Sequence, residues 1–201
     1  MFTQKLISIF IALIFITGSA FAQDMTLNLQ GTPEMHINGD SNIKTWDAAV
    51  NDVSASLTLQ NIENISAETL TPESFKNLSI TIPVEGIEAE SGGLTKNIHK
   101  YLEEKDHPNI TFELVEVTNI AEQDGSLIIT AQGVINAAGK DNPVQMVVTA
   151  NVQNGSIQVS GEQELLMTSF DIDPPTAVFG TIRSKDEFVV SYNLTFSRES
   201  I

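Results

Sequence analysis

Apolar residues recur at every second position through most of this chain. LSITIPV (78–84) sets Leu78, Ile80, Ile82 and Val84 on one side of an extended backbone, and ITFEL (110–114) does the same with Ile110, Phe112 and Leu114. VQMVVTANV (144–152), IQVSGEQELLM (157–167) and FVVSYNLTF (188–196) repeat the pattern over longer stretches. A period of two predicts strands with one buried and one wet face. MTLNL (25–29), VSASLTL (53–59) and SLIITAQGVINAA (126–138) fit the same reading.

The links between these runs are short. Gln123-Asp124-Gly125 and Asn154-Gly155 are hairpin signals, and the segment from Gly139 to Pro143 reads as a third turn. Strands joined by tight turns run antiparallel. Residues 109–197 therefore read as a meander of four long strands, with the loop 169–185 before the last. One segment has helical spacing: Leu94, Ile98, Tyr101 and Leu102 predict a helix over 94–105, between Gly92-Gly93 and Pro108. TPESF predicts a weaker helical turn near 71–76. Gly133 and Gly161 fall inside strands, where glycine marks a bend or bulge. The pattern is all-β with one short helix, a single domain of about eight antiparallel strands. So many long strands favour a barrel or sandwich, because closure removes exposed edges.

Composition adds a compartment. Lys5 precedes the apolar run LISIFIALIFI (6–16), and Ala20-Phe21-Ala22 supplies small residues before Gln23. Residues 1–22 read as a secretory signal peptide and 23–201 as the domain it exports, to the periplasm or beyond. No later stretch reads as a membrane-spanning helix. The chain carries 26 acidic against 10 basic residues, a net charge of −16. That excludes nucleic acid as a natural partner and disfavours an electrostatic grip on anionic lipid. The absence of cysteine excludes disulfides, thiol nucleophiles and Cys-ligated zinc. Oligomeric state is left open.

Candidate chemistry is sparse. HKYLEEKDHPNITFEL (99–114) holds His99 and His107 with Glu103, Glu104 and Asp106 between them. On a helix His99 and Glu103 share a face, but no third ligand lies nearby and the zinc motif H-E-x-x-H is absent. These residues read as a solvated helix end, and His107-Pro108 as a helix-to-strand boundary. No nucleophile elbow or phosphate-binding glycine loop occurs. Asp171 and Asp173 read as turn formers before Pro174-Pro175. No catalytic residue, metal site or cofactor is expected. The inward faces either fill the barrel or line a ligand cavity, and periodicity leaves both open.

Four stretches, in order, resemble the YceI-like family, known for binding polyisoprenoids and other amphiphilic lipids. SNIKTWDA (41–48) resembles its G-T-S-N-x-H-D-W segment. LTKNIHKYLEEKDHPNITFEL (94–114) resembles its helix followed by y-P-x-I-x-F. GVINAAGKDNPVQMVV (133–148) resembles its G-x-L-t-i-x-G-v-t-k hairpin, and residues 167–196 resemble its M-t-d-f-x-i-x-P-P loop and closing strand. Asp40, Lys44-Thr45 and the residues from Lys140 to Pro143 depart from those patterns.

The resemblance implies an extended, eight-stranded, lipocalin-like antiparallel barrel with a lipid tail in its interior, and no catalytic residues. The expected liners are Trp46 near the mouth; Leu57 and Leu59; Ile80 and Ile82; Phe112 and Leu114; Ile129; Met146 and Val148; Val159, Leu165 and Met167; and Phe188, Val190 and Tyr192. The competing functions are a filled barrel acting through its surface in the envelope or under stress, and a secreted hydrolase or metal enzyme using His99, Glu103 and His107.

Overall fold

The computed structural model describes residues 24–177 and 179–198. The expected leader, 1–22, lies outside them. Among the described residues eleven strands form: β1 (Met25–Ser41), β2 (Trp46–Val50), β3 (Ser54–Leu59), β4 (Phe75–Pro83), β5 (Ile87–Ala89), β6 (Asn109–Gln123), β7 (Ser126–Ala137), β8 (Lys140–Gln153), β9 (Ser156–Leu166), β10 (Thr176–Ala177) and β11 (Ile182–Ser197). One helix, α1 (Gly92–Tyr101), stands between β5 and β6. The sheet runs β11-β9-β8-β7-β6-β4-β3-β1, and β1 pairs back onto β11. Eight antiparallel strands thus close a barrel. β2 and β5 extend the sheet from the second half of β1, and β10 flanks β11. Among the described residues no helix is long and apolar enough to cross a membrane.

The turns follow from left-handed backbone pairs. Asp124-Gly125, Ala138-Gly139 and Asn154-Gly155 each place two consecutive residues at positive φ, which gives the hairpin twist that matches adjacent strands. The third turn is thus tighter than the sequence predicts. Lys140 to Pro143 already belong to β8 and pair with β7. Pro143 is tolerated because β8 pairs with β9 only over Thr149–Gln153. Its stretch nearer Lys140 has one free edge, where a missing N–H breaks no ladder. Gly139 is fixed twice over, by a φ of +74° and by the His107 ring, which a Cβ would meet at 2.5 Å. Gly139→Ala is expected to cost about 1–3 kcal/mol, read as a lower urea midpoint with an unchanged slope.

Three other expectations change. The second half of the chain carries five long strands, not four, because β6 runs on to Gln123. Register shifts between Leu114 and Glu116 and between Val117 and Asn119 move its inward phase to Val117 and Ile120, so the alternation seen in ITFEL does not continue. The first shift leaves Val115 exposed on the outer face. β1 extends beyond MTLNL through Gly31 and Pro33 to Ser41, across a bulge between Gln30 and Glu34. The helix starts at Gly92, capped where Ser91 Oγ accepts from Leu94 N at 3.3 Å, and ends by Tyr101. Glu103 then turns left-handed at φ +55°, which stops the helix well before Pro108. The weaker turn near 71–76 is a single 3-10 turn, Pro72–Ser74.

The core fills one end of the barrel. Leu27, Leu59, Ile157 and Phe196 are completely or almost completely buried there. A smaller cluster of Ala137, Leu165 and Phe170 sits toward the other end, where a 3-10 turn (Met167–Phe170) covers the splay between β8 and β9. Lys140 and Asp171 tie that cover to β8 at 2.7 Å.

Candidate functional site

Between those two clusters the barrel is hollow. The inward pairs of β9 and β11 measure its depth. From the shut end they run Ile157/Phe196, Val159/Leu194, Gly161/Tyr192, Gln163/Val190 and Leu165/Phe188. Ile157 is sealed in the core, while the layers above it bound an apolar cavity of about 640 Å³. Every expected liner except Leu59 is on that wall: Trp46, Leu57, Ile80, Ile82, Phe112, Leu114, Ile129, Met146, Val148, Val159, Leu165, Met167, Phe188, Val190 and Tyr192. Leu59 is instead fully buried, because it pairs with Met25 and Phe75 at the filled end.

Of the parts of the wall that sequence reasoning missed, three shape the site most. Met35 and Ile37 come from the second half of β1, where EMHIN (34–38) carries a weak alternation. Leu94, Ile98, Tyr101 and Leu102 of α1 and its C-cap also face the cavity. No residue of α1 is fully buried, so the apolar stripe that predicted the helix closes the side of the barrel over empty space. Gln163 is the third, a polar amide on the inward face between Gly161 and Leu165. Among the described residues its Nε2 donates only to the neighbouring Glu164 main-chain oxygen, at 3.0 Å.

Three aromatic rings lie flat on the wall because a glycine is beneath each. A Cβ on Gly39 would meet the Trp46 ring at 2.1 Å, one on Gly133 the Phe112 ring at 2.2 Å, and one on Gly161 the Tyr192 hydroxyl at 2.7 Å. Gly133 does lie opposite the β6 register shift at Leu114. Gly161 lies in an unbroken ladder with β11 and is where the pairing of β9 with β8 stops, and its missing Cβ makes room for Tyr192. The Trp46 indole N–H and Tyr192 hydroxyl are covered and have no partner among the described residues. Burial pushes the Tyr192 pKa up to about 12. The unfolded hydroxyl ionises near 10, so this stabilisation is complete below pH 10 and is lost as pH rises toward 12. Tyr192→Phe is expected to remove that alkaline loss, about 1.4 kcal/mol of which has developed by pH 11, and to raise stability at pH 7 by about 1 kcal/mol, by deleting an unpaired buried hydroxyl. Urea unfolding at pH 7 and pH 11 checks both.

The cavity opens beside the loop between β1 and β2, the N-terminus of α1, and Ile172, Pro175, Thr176, Ile182 and Ser184. Lys44, Trp46, Ser91, Leu94 and Phe188 line both the cavity and a charged groove of about 850 Å³ on the outer surface. Asp40, Asp47, Glu90, Glu164, Glu187 and Lys185 also border that groove. The Lys185 ammonium, followed by the Ser41 N–H, holds the Asp40 carboxyl below the usual carboxylate range, and Asp40 in turn raises Lys185. An apolar chamber therefore meets a polar rim at one opening, the arrangement an amphiphile fits.

The His99 cluster resolves into separate structural contacts. His99 Nε2–H donates to the Ile87 carbonyl at 2.8 Å, and Nδ1 lies 3.2 Å from Glu104. Together with Thr95, whose hydroxyl bonds the Ala89 main chain, it pins α1 to β5. His107 lies 3.8 Å from Glu103. Among the described residues no group of three His, Asp or Glu side chains could hold a metal ion.

A family model described as the YceI-like domain matches residues 27–196. No curated protein sequence matches the chain. Several solved structures share its fold. The polyisoprenoid binding domain from Saccharophagus degradans, implicated in plant cell wall breakdown, superposes with a TM-score of 0.62 at 8% identity, over 86% of this chain and 98% of that one. Burkholderia cenocepacia BcnA gives 0.60 at 14% identity, over 81% and 95%. The Campylobacter jejuni YceI protein gives 0.53 at 16%, over 76% and 85%.

Proposed function

The chain belongs to the YceI-like family, and on that footing we propose that it is an exported binding protein that holds the tail of a long isoprenoid or similar amphiphilic lipid inside its barrel. The observation that carries this reading is the hollow, apolar upper half of a barrel whose other end is filled. A tail placed there is removed from water on all sides, at roughly 25 cal/mol per Å² of apolar surface buried. Met146 and Met167 on the wall adapt to tails of different shape. The Saccharophagus neighbour is a polyisoprenoid binding domain, which supports the same ligand class. A filled barrel acting only through its surface is not favoured, because its interior would have no such space. Carriage, storage and a part in stress response all start from this one binding step.

Trp46 is the single tryptophan and lies on the cavity wall, so titration with a dispersed long-chain isoprenoid alcohol is expected to change its emission saturably. A flat titration would count against the proposal. Export is tested separately: recovery from the bacterial envelope of a chain that begins at Gln23 supports it, and a retained Met1 in a cytosolic fraction contradicts it.

A further inference from the structure

The mouth of the barrel also carries an apolar, basic tip. Two segments form it, 41–45 at the end of β1 and 179–183 at the start of β11. Phe179 is fully exposed at φ +54°, a conformation that bulky L-residues avoid. Ile43 is 62% exposed on the facing loop and also borders the cavity. An exposed aromatic held in a strained conformation is a reason to look for function.

The presentation is held by hydrogen bonds. Asn42 N donates to the Arg183 carbonyl at 3.0 Å and Asn42 Nδ2 to the Thr181 carbonyl at 2.9 Å, while Arg183 N donates to Asn42 Oδ1 at 2.8 Å. Ser41 Oγ closes the first loop, accepting from Ile43 N and Lys44 N and donating to the Lys44 carbonyl. Arg183 Nε donates to the Gly180 carbonyl, closing the second.

The charge of the tip is opposite to that of the molecule. SNIKT and FGTIR contain Lys44 and Arg183 and no carboxylate, in a chain of net charge −16. Asp40, immediately behind, is neutralised by Lys185. The strands behind the tip carry Asp47, Glu164 and Glu187 on the groove. Such a distribution repels the barrel wall from an anionic surface while it admits the tip.

We propose that this tip docks the barrel on an anionic phospholipid bilayer, with Phe179 and Ile43 entering the headgroup region and Lys44 and Arg183 at the phosphates. Exposed apolar side chains rimmed by cations are the anatomy of an interfacial contact. Because Ile43 borders both tip and cavity, an amphiphile passes between bilayer and barrel without crossing open water. This last step rests on the lipid-binding reading; the docking does not.

The test uses purified protein, vesicles of phosphatidylethanolamine with phosphatidylglycerol, and the variant Phe179→Gly/Arg183→Gln. Neither residue lies on the cavity wall. Glycine also relieves the positive φ, so the variant is expected to melt no lower than wild type. Wild type is expected to sediment with the vesicles, and the variant to bind at least about fivefold more weakly from the lost charge alone, with uptake of dispersed isoprenoid alcohol unchanged. Equal sedimentation of the two proteins, or none by wild type, overturns the proposal. So does a wild-type dimer that the variant dissociates while vesicle binding is absent, which would assign the tip to a second copy of this chain. Failure of both proteins to take up the isoprenoid would contradict the lipid-binding reading and leave sedimentation to decide docking.

Discussion

Val148→Phe/Val190→Phe is expected to weaken isoprenoid uptake at least about tenfold, some 1.4 kcal/mol, while leaving the melting temperature unchanged or raised. Both valines are only half-buried, and both line the cavity. In a packed core two enlargements of this kind force strain of about 1–3 kcal/mol each. In a hollow barrel the rings occupy the space a tail would take and gain contacts there. The paired readout therefore separates the two architectures. Loss of uptake with retained stability indicates a binding chamber, whereas a marked fall in melting temperature indicates a filled interior. Calorimetry and Trp46 emission provide the two measurements on the same samples.

Leu59→Ala is expected to do the opposite. Its side chain is completely buried and off the cavity wall, so truncation should cost about 2–5 kcal/mol and leave uptake by the folded protein unchanged. Urea unfolding gives the stability loss, and a titration well below the new midpoint gives the affinity. Weakened uptake at unchanged stability would mean that the cavity reaches deeper than the floor formed by Phe196 and Ile157. Leu57, two residues away on the same strand, lies on the wall. Neighbouring leucines on one inward face thus have different consequences, set by their depth in the barrel.

The fold was legible wherever alternation was unbroken. β7, β8, β9 and β11 could be read from their own residues, and the Asp-Gly and Asn-Gly pairs located their hairpins. It was illegible where a bulge resets the phase. β6 loses its alternation after Leu114 because the extra residue Val115 turns outward, and β1 is interrupted by Gly31 and Pro33. The short β2, β5 and β10 owe their pairing to neighbours, not to a pattern of their own.

The cavity wall was legible because inward phase and burial coincide on a curved sheet. Its depth was not. Nothing in VSASLTL distinguishes Leu57 from Leu59. The contribution of α1 was hidden for a related reason, since an amphipathic stripe looks the same whether it packs on a core or roofs a void. The aromatic–glycine pairs had a signal that went unused. Gly39, Gly133 and Gly161 each lie inside a strand, and each accommodates a ring from an adjacent one. The partner of His99, read from sequence as part of a solvated helix end, was hidden by topology. β5 passes beneath the helix and gives that imidazole a main-chain carbonyl, which no reading of residues 99–114 alone would reveal.

Whether the chamber holds a lipid tail is decided by native mass spectrometry of the protein purified without detergent, followed by organic extraction and then by addition of a long-chain isoprenoid alcohol. The expected result is either a bound mass that extraction removes or an apo protein that takes up one isoprenoid per chain. An apo protein that stays apo in the presence of the isoprenoid would contradict a lipid-binding barrel.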